Sequence, residues 1–213
     1  MELSTALAHT GLFVAGMGFW TVLEWVMHNY LGHHGKGKNP FAREHIRHHA
    51  TTHYFAPSWK KAALAVPVAI LVWLAIGTAL GRPSAAAFTG GLFSMYFSYE
   101  FIHRRIHTHP PTGPYTRWAR LNHFHHHFRS PKSNHGVSSP FWDKVFGTYE
   151  KPVLPLRIPE KHLCQWMVDS QGEVHPHLAG DYVIARRGQR PAAGQPETIT
   201  EPPAAIEGVS VQL

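Results

Sequence analysis

The sequence predicts an all-α protein, namely an integral membrane helical anchor of three to four spans with a cytoplasmic helical cap that holds a histidine-rich site. The first observation behind this fold class is a run of nineteen residues without a charge, at 62–80, which matches a bilayer core of about 30 Å. Further apolar runs cover about 7–30 and 84–101. The other two observations are a one-sided distribution of basic residues and a clustering of histidines.

The basic residues predict how the anchor is oriented. Arg82, in the turn between the runs at 62–80 and 84–101, is the exception among twenty Lys and Arg residues, since the other nineteen lie in 31–61 and from Arg104 onward. The positive-inside rule then places the histidine clusters at the cytoplasmic face of a multi-pass membrane protein. The net charge of +7 therefore indicates topology and contact with lipid headgroups of the bilayer, and we expect no nucleic-acid partner.

Ten of the nineteen histidines form two rounds of a pair followed by a triplet. Imidazole is the commonest neutral metal ligand and suits iron, zinc, copper or nickel. Ten ligands are too many for one ion, which takes about four to six, and suit two ions. The spacing therefore predicts a dinuclear metal site, with no catalytic residue beyond its ligands. These ligands are His28, His33, His45, His48, His49, His103, His107, His123, His126 and His127.

Helix geometry predicts how the clusters are arranged. Residues three and four apart share a helix face, so we expect each HxxHH triplet, at 45–49 and at 123–127, to converge on one point. The pair at 103 and 107 has the same i,i+4 relation. His28 and His33 are five apart, which leaves them about 140° apart on an ideal helix. We therefore expect the helix to end between them, at Gly32.

The chain is predicted to fall into three segments. These are a membrane domain with the dimetal site, a C-terminal cytoplasmic extension with a short β-hairpin around Gly180 and Asp181, and a disordered tail rich in Pro, Ala, Glu and Gln. Their expected bounds are 1–155, 156–187 and 188–213, with the hairpin at 172–187. Within the first segment we expect helices at 5–31, 41–53, 62–108 (a helical hairpin) and 115–129, then loop and turn over 130–150.

These clusters, together with the run GVSSPFWDKVFGT at 136–148, resemble the fatty acid hydroxylase superfamily of membrane di-iron oxygenases and sterol desaturases, above all its fatty acid 2-hydroxylase branch. The resemblance covers about residues 20–150. It implies that the ten matching histidines bind two iron ions, for which zinc can substitute. It also implies hydroxylation of the acyl chain of a lipid or fatty acid with O2. No HPGG-type haem signature is present, so we expect an external electron donor, a ferredoxin or a b-type cytochrome.

Metal-bound histidines usually donate their second ring N–H to an acceptor, and four carboxylates are candidates for that role or for supporting it, those of Glu24, Glu44, Glu100 and Asp143. Glu24 lies one turn before His28, and Glu100 lies three residues before His103 and is favoured. Asp143 is expected to clamp its own loop. Among the remaining histidines, we expect the one at 125 to point away from its triplet, and those at 34 and 135 to lie close to the site. The single Cys164 is interpreted as an apolar filler.

Three other functions fit parts of the pattern. A carotenoid or sterol hydroxylase or oxidase of the same superfamily would use the same chemistry. A zinc-dependent membrane hydrolase would need an Asp or Glu general base beside the metal. A metal transporter would carry polar ligands in the middle of a span, whereas 62–80 contains none.

Overall fold

The computed structural model describes residues 2–186, which are mainly helical. The helices are α1 (Glu2–Val26), α2 (Pro40–Ala50), α3 (Ser58–Leu80), α4 (Arg82–Thr108), α5 (Pro114–Phe128) and α6 (Phe141–Val145), and the strands are β1 (Leu156–Pro159) and β2 (Tyr182–Ala185). A π-helical segment, Met27–His34, continues α1. The tail predicted over 188–213 lies outside the described residues. The chain divides into two compact units, the first made of 2–24 and 56–102, the second of 25–55 and 103–186.

The first unit contains most of the apolar helix surface. Two helices are long and apolar enough to cross a membrane, Leu3–His34 and Ser58–Leu80, and no residue of α3 is buried. A helix that is apolar on all sides needs an apolar surrounding such as lipid. Within this unit α1 and α4 approach closely at glycines, because a Cβ at Gly16 would overlap the Phe88 carbonyl and one at Gly91 that of Phe13. The predicted span count of three to four stays a prediction.

The second unit is built around α5. The helix begins at Pro114, where the Thr116 hydroxyl accepts the N–H of Gly113 at 2.9 Å, and its last ten residues are all buried. Phe124 faces the C-terminal segment and packs against Tyr182 of β2, with ring centroids 6.1 Å apart. This buried helix holds the second histidine triplet in a rigid frame.

The structure is mostly helical, but the β-hairpin predicted over 172–187 is wrong. β1 and β2 form a parallel pair instead, in register Leu156 with Tyr182. The reason is tertiary: Tyr182 is buried against α5, while Asp181 binds Arg117 of α5 instead of making the turn of a hairpin. Burial of the apolar strand against the helix therefore selects β1 as its partner.

Candidate metal centre

Ten histidine side chains of the second unit form two groups, in each of which the ligand nitrogens all lie within 4.8 Å of one another. They are the same ten that the spacing singles out. Group A consists of His28, His33, His45, His49 and His126, and group B of His48, His103, His107, His123 and His127. Each group takes its members from separate segments of the chain, so the groups exist only in the folded protein.

Each triplet is divided between the two groups, so the prediction that each converges on one point is wrong. In α2, His45 and His49 belong to group A and His48 to group B. In α5, His126 belongs to group A, while the i,i+4 pair around it belongs to group B. Successive residues of a helix point about 100° apart, so two adjacent histidines face different sites. Both helices therefore serve both groups.

The first histidine pair meets through a π-helix. The helix does not end at Gly32 as predicted, since Met27–His34 continues α1 as a π-helical segment. Hydrogen bonds from i to i+5 bring residues five apart onto one face, which an α-helix does not do. The Nε2 atoms of His28 and His33 accordingly lie 2.9 Å and 3.0 Å from Nε2 of His126.

Gly32 leaves room for a ligand of group A. A Cβ at this position would lie 2.9 Å from Cδ2 and 3.3 Å from Cγ of the His45 ring. That ring places its Nε2 2.9 Å from Nε2 of His33. The glycine is therefore needed for the close approach of α2 to the π-helical segment.

Backbone carbonyls determine the tautomers of three histidines. Nδ1–H of His28 donates to the His135 carbonyl at 2.5 Å, and Nδ1–H of His126 donates to that of Ser133 at 2.6 Å. In group B, His48 donates in the same way to Tyr54 at 2.8 Å. A carbonyl only accepts, so the proton is on Nδ1 and the lone pair is on Nε2. All three lone pairs are thus available at the group centres.

The resulting contacts suit a bound cation. His28 and His126 meet through two unprotonated Nε2 atoms 2.9 Å apart, which repel each other unless a positive charge lies between them. Burial, together with neighbouring histidines, lowers the pKa of His126 well below 6.5, so a proton does not supply that charge. Two ligands bonded to one ion at about 2.1 Å and at right angles would lie ~3.0 Å apart. The residues present therefore fit a metal ion.

Group B gives a second indication of the same kind. Both ring nitrogens of His127 are buried and lack a hydrogen-bond partner within the described part of the chain. A buried imidazole without partners is costly, and coordination of a metal removes that cost for one nitrogen. Burial and the neighbouring rings also lower the pKa of His123 and His127 well below 6.5, so both rings are neutral, as ligands must be.

The loop at 133–136 carries two of the three carbonyls and is fixed by two side chains. Asp143 accepts the N–H groups of His135 at 2.9 Å and Gly136 at 2.8 Å, and also Trp25 Nε1 at 3.2 Å and Thr148 Oγ1 at 2.7 Å. Asn134, at φ 56°, exchanges two bonds of 2.8 Å with the backbone of Glu150. The loop thereby holds the acceptors of His28 and His126 in place.

Arg120 joins the two helices that supply most of group B. Its guanidinium is buried and donates to the carbonyls of Arg105 at 2.8 Å and His109 at 2.6 Å and 2.9 Å, at the C-terminal end of α4, and to that of Thr116 at 2.7 Å. Burial lowers the pKa of Arg120 to about 10, which leaves it charged at neutral pH. A cation at this position interacts favourably with the C-terminal end of α4, where it binds the His109 carbonyl and also the Arg105 carbonyl, which accepts the His109 N–H as well.

The carboxylates predicted to support the site have different partners. Asp143 clamps its loop, as expected, and acts on His28 only through the main chain. Glu100 pairs with Lys61 in the first unit, where Glu24 is also buried, and their role toward the histidines stays a prediction. Glu44, also considered for this role, accepts from the hydroxyl of Tyr54.

The remaining histidines lie outside both groups. His125 contacts Glu150 at 3.1 Å and His34 contacts the Asn29 carbonyl at 3.1 Å. The ring of His135 lies closest, with its centroid 5.4 Å from those of His28 and His126. Sequence reasoning missed the three carbonyl acceptors, because any residue has a carbonyl and its identity gives no signal.

The profile of the fatty acid hydroxylase family matches residues 13–148, which include every histidine of both groups. The chain belongs to the fatty acid hydroxylase family. The resemblance seen in the motifs is thereby confirmed.

Named fatty acid hydroxylases are similar to this chain at about 30% identity. The dihydroceramide fatty acyl 2-hydroxylase FAH2 of Arabidopsis thaliana is 34% identical over 149 residues, 65% of this chain and 60% of the relative. The ceramide very long chain fatty acid hydroxylase of Saccharomyces cerevisiae is 31% identical over 155 residues, 68% of this chain and 39% of the relative. The fatty acid 2-hydroxylase of Rattus norvegicus is 32% identical over 147 residues, 65% and 39% of the two chains.

A solved structure has a similar fold. Full-length scs7p, of which only the hydroxylase domain is visible, matches with a TM-score of 0.55 and 33% identity, covering 70% of this chain and 59% of that one. The matched part amounts to 39 to 60% of the curated relatives' lengths. The chain therefore matches only part of these longer relatives.

Proposed function

We propose that this chain is a membrane-bound di-iron oxygenase that hydroxylates the acyl chain of a lipid or fatty acid. One oxygen atom of O2 enters a C–H bond, and the other leaves as water with two electrons from an external donor and two protons from the solvent. A ferredoxin or a b-type cytochrome is the proposed donor. The observation that carries the proposal is the pair of adjacent five-histidine groups in a fatty acid hydroxylase domain.

The histidines would hold two iron ions, with zinc as a substitute, through the ten-residue ligand set predicted from the spacing. Side chains alone do not break an unactivated C–H bond, and the bound ions would supply the activation of O2. The chain's own contribution is orientation. The carbonyls of Ser133, His135 and Tyr54 hold protons on Nδ1, so that Nε2 lone pairs face the ions.

Aromatic side chains cover group B and would restrict water there. The Phe55 ring lies 5.6 Å, 5.9 Å and 5.8 Å, centroid to centroid, from the rings of His48, His103 and His107. The Phe124 ring packs against His107 from within the core, at 5.4 Å. An apolar surrounding favours an acyl chain over a polar substrate and protects reactive species from water.

We also propose the location of the site. The two apolar helices and a third span in α4 would cross the bilayer, so that the basic residues in 31–61 and those from Arg104 onward would both face the cytoplasm with the histidines. A lipid could then keep its chain in the hydrocarbon while the carbon to be oxidised reaches the ions. Three to four spans fit this arrangement.

The composition of the groups argues against a zinc hydrolase. Within the described residues both groups consist of histidine alone, and Asp143 is occupied by four donors. A hydrolase of this class would use a carboxylate as general base at the metal. A carotenoid or sterol oxidase has the same donor set, so the substrate test below has to distinguish it.

The experiment has two parts. The purified protein is loaded anaerobically with iron, and O2 consumption is measured with added reductant and with fatty acyl, sterol or carotenoid substrates. The lipids of cells with and without the chain are compared by mass spectrometry for the gain of one oxygen atom. We expect two iron ions per chain and an oxygen gain in an acyl lipid. Absence of iron binding and turnover would reject the oxygenase. Oxygen gain only in a sterol or carotenoid would favour a sterol or carotenoid oxidase instead.

A further inference from the structure

The short helix α6 exposes large apolar side chains. Asp143 is fully buried and anchors the helix, whereas Phe141 is 56% exposed, Val145 54% and Phe146, directly after it, 49%. Residues 141 and 145 are four apart and lie on one helix face. Adjacent exposed apolar side chains of this size usually mark a surface that is covered by something other than water.

A chain of aromatic rings connects this surface with the candidate membrane helix. The chain, here named the aromatic band, runs Tyr30–Trp25–Phe146–Trp142–Phe141, with ring centroids 5.7, 4.3, 5.7 and 4.9 Å apart. Its first two members belong to the candidate span Leu3–His34, near its C-terminal end. Tyr30 is 54% exposed, so the band has an exposed residue at both ends.

Hydrogen bonding fixes α6 to the same helix end. Trp25 Nε1 donates to Asp143 Oδ1 at 3.2 Å and lies 3.1 Å from Thr148 Oγ1. The exposed face of α6 is therefore held at the level where the candidate span ends. Tyr and Trp rings are enriched at this depth, where one end of the ring is in hydrocarbon and the other in water.

The charges beside the band suit lipid headgroups. Lys144 and Lys151 are exposed, and Lys144 lies over the Tyr149 ring at 5.3 Å. The nearby acid Glu150 is engaged with His125 and Ser130. Lysines at the edge of an apolar surface can extend to anionic headgroups while their stems stay in the apolar layer.

We propose that α6 lies in the bilayer interface, with Phe141, Val145 and Phe146 in the headgroup–acyl boundary. The inference rests on the proposed membrane insertion of Leu3–His34 and Ser58–Leu80 and adds a second kind of contact. Continuity of the band with a candidate membrane span favours the bilayer over a second copy of the chain. The cap is thereby held against the membrane close to group A, whose His28 lies one turn from Trp25.

The test measures depth at single spin labels. A nitroxide is attached at Val145→Cys in the full chain with Cys164→Ser, reconstituted in vesicles of phosphatidylcholine and phosphatidylglycerol. Collisions with O2, which concentrates in lipid, and with a water-soluble chromium oxalate are measured by power saturation. Matched labels at Val66→Cys in α3 and Gln171→Cys in the C-terminal segment serve as lipid and water references, and an unchanged metal content verifies the fold. Should the Cys164→Ser change lower metal content, Cys164 is kept, since it is buried.

We expect the ratio of O2 to chromium collisions at 145 to lie between those at 66 and 171, and to be several-fold higher than at 171. If 145 resembles 171 while 66 reports lipid, the interface proposal is wrong and membrane insertion stands. If 145 and 66 both report water, membrane insertion itself fails. Dipolar broadening between labels at 145 would show contact with a second copy and would also overturn the proposal.

Discussion

The imidazole ring of His49 lies parallel to that of His127, with centroids 4.0 Å apart and planes 8° apart. His49 belongs to group A and His127 to group B, so this stack joins the two groups directly. His48, next to His49, belongs to group B, and His126, next to His127, belongs to group A. The two proposed ion sites therefore share their supports, and damage to one is expected to weaken the other.

The division of the triplets predicts which ion each substitution removes. His126→Ala should empty group A and His48→Ala group B, so that each variant falls from two ions to about one and loses hydroxylation. Metal content by mass spectrometry and product formation are measured together. His175→Ala, outside both groups, is the control and should keep both. Two ions and full turnover in either of the first variants would refute the ligand assignment.

Asp143→Asn should weaken metal binding by group A, because it displaces the loop at 133–136. All four partners of Asp143 are donors, so the amide would place its own NH2 against an N–H group. Displacement of the His135 carbonyl removes the acceptor that holds the proton of His28 on Nδ1, so the Nε2 lone pair is no longer fixed toward the ion. We expect the affinity for one ion to fall by about 10- to 100-fold. Asp169→Asn is matched, since Asp169 also accepts backbone N–H groups but lies in the C-terminal segment. Equal affinities in the two variants would contradict the clamp.

Gly32→Ala should disturb the same group by steric contact. The new Cβ would meet the His45 ring at 2.9 Å, so the ring or the π-helical segment must shift. Metal titration should show a loss of about tenfold for one ion. Gly18→Ala, in α1 with nothing within 4 Å of its Cβ, should be neutral or slightly stabilising. An unimpaired Gly32→Ala variant would mean that the close approach of α2 is not required.

Acidification should remove the metal only at a pH below the ordinary imidazole pKa of about 6.5. Burial lowers the pKa of His123, His126 and His127 well below 6.5, so these rings stay neutral and able to bind as the pH falls from 8 to 6. We expect constant metal content over that range. A loss of metal with a midpoint near 6.5 would contradict the buried geometry.

The same shifts determine the pH dependence of stability without metal. Below about pH 6.5 these histidines bind protons in the unfolded chain but not in the folded chain. The free energy of unfolding is therefore highest above that pH and decreases as the pH falls below it. His162, whose pKa burial lowers to about 4, adds to the loss between about 6.5 and 4. Thermal unfolding of the metal-free protein in detergent measures this, and His162→Gln should flatten the profile. An increase in stability on acidification would reverse the predicted sign.

Arg120→Lys should destabilise the α4–α5 contact. An ammonium cannot replace the four bonds of the guanidinium fork to three carbonyls, and the Arg105 carbonyl would keep only its bond from the His109 N–H. A loss of about 1–3 kcal/mol is expected. Arg117→Lys on the same helix changes a half-exposed pair with Asp181 and should cost about 0–1 kcal/mol. Thermal unfolding of both variants in one detergent gives the comparison. Similar losses would show that burial of Arg120 carries no special role.

The ten histidines were predictable because spacing and residue type carry the signal. Pairs and triplets of histidine at helical spacing indicate a shared metal centre, although the tertiary fold decides which of them meet. The division of each triplet was not predictable, since it depends on where α2 and α5 lie relative to two points in space. The carbonyls of Ser133 and His135 were equally hidden, because main-chain acceptors leave no trace in residue identity.

The fold shows the same limit. The helix pattern at 41–53 and 115–129 was readable from local periodicity and breakers, and the structure has α2 and α5 there. The parallel pairing of β1 with β2 was not, because it depends on burial of Tyr182 against Phe124, which are 58 positions apart in the chain. Local turn residues at 180 and 181 suggested a hairpin that this long-range packing overrides.

The π-helical segment has a consequence for the evolution of such sites. One additional residue in the turn is accommodated by widening it, so a chain with the first two histidines four apart could present them equally well from an ordinary α-helix. A single-residue insertion or deletion at this point would then be tolerated where it would shift every later side chain of a regular helix. The distance between these histidines along the chain is consequently a poor criterion for recognising a related metal centre.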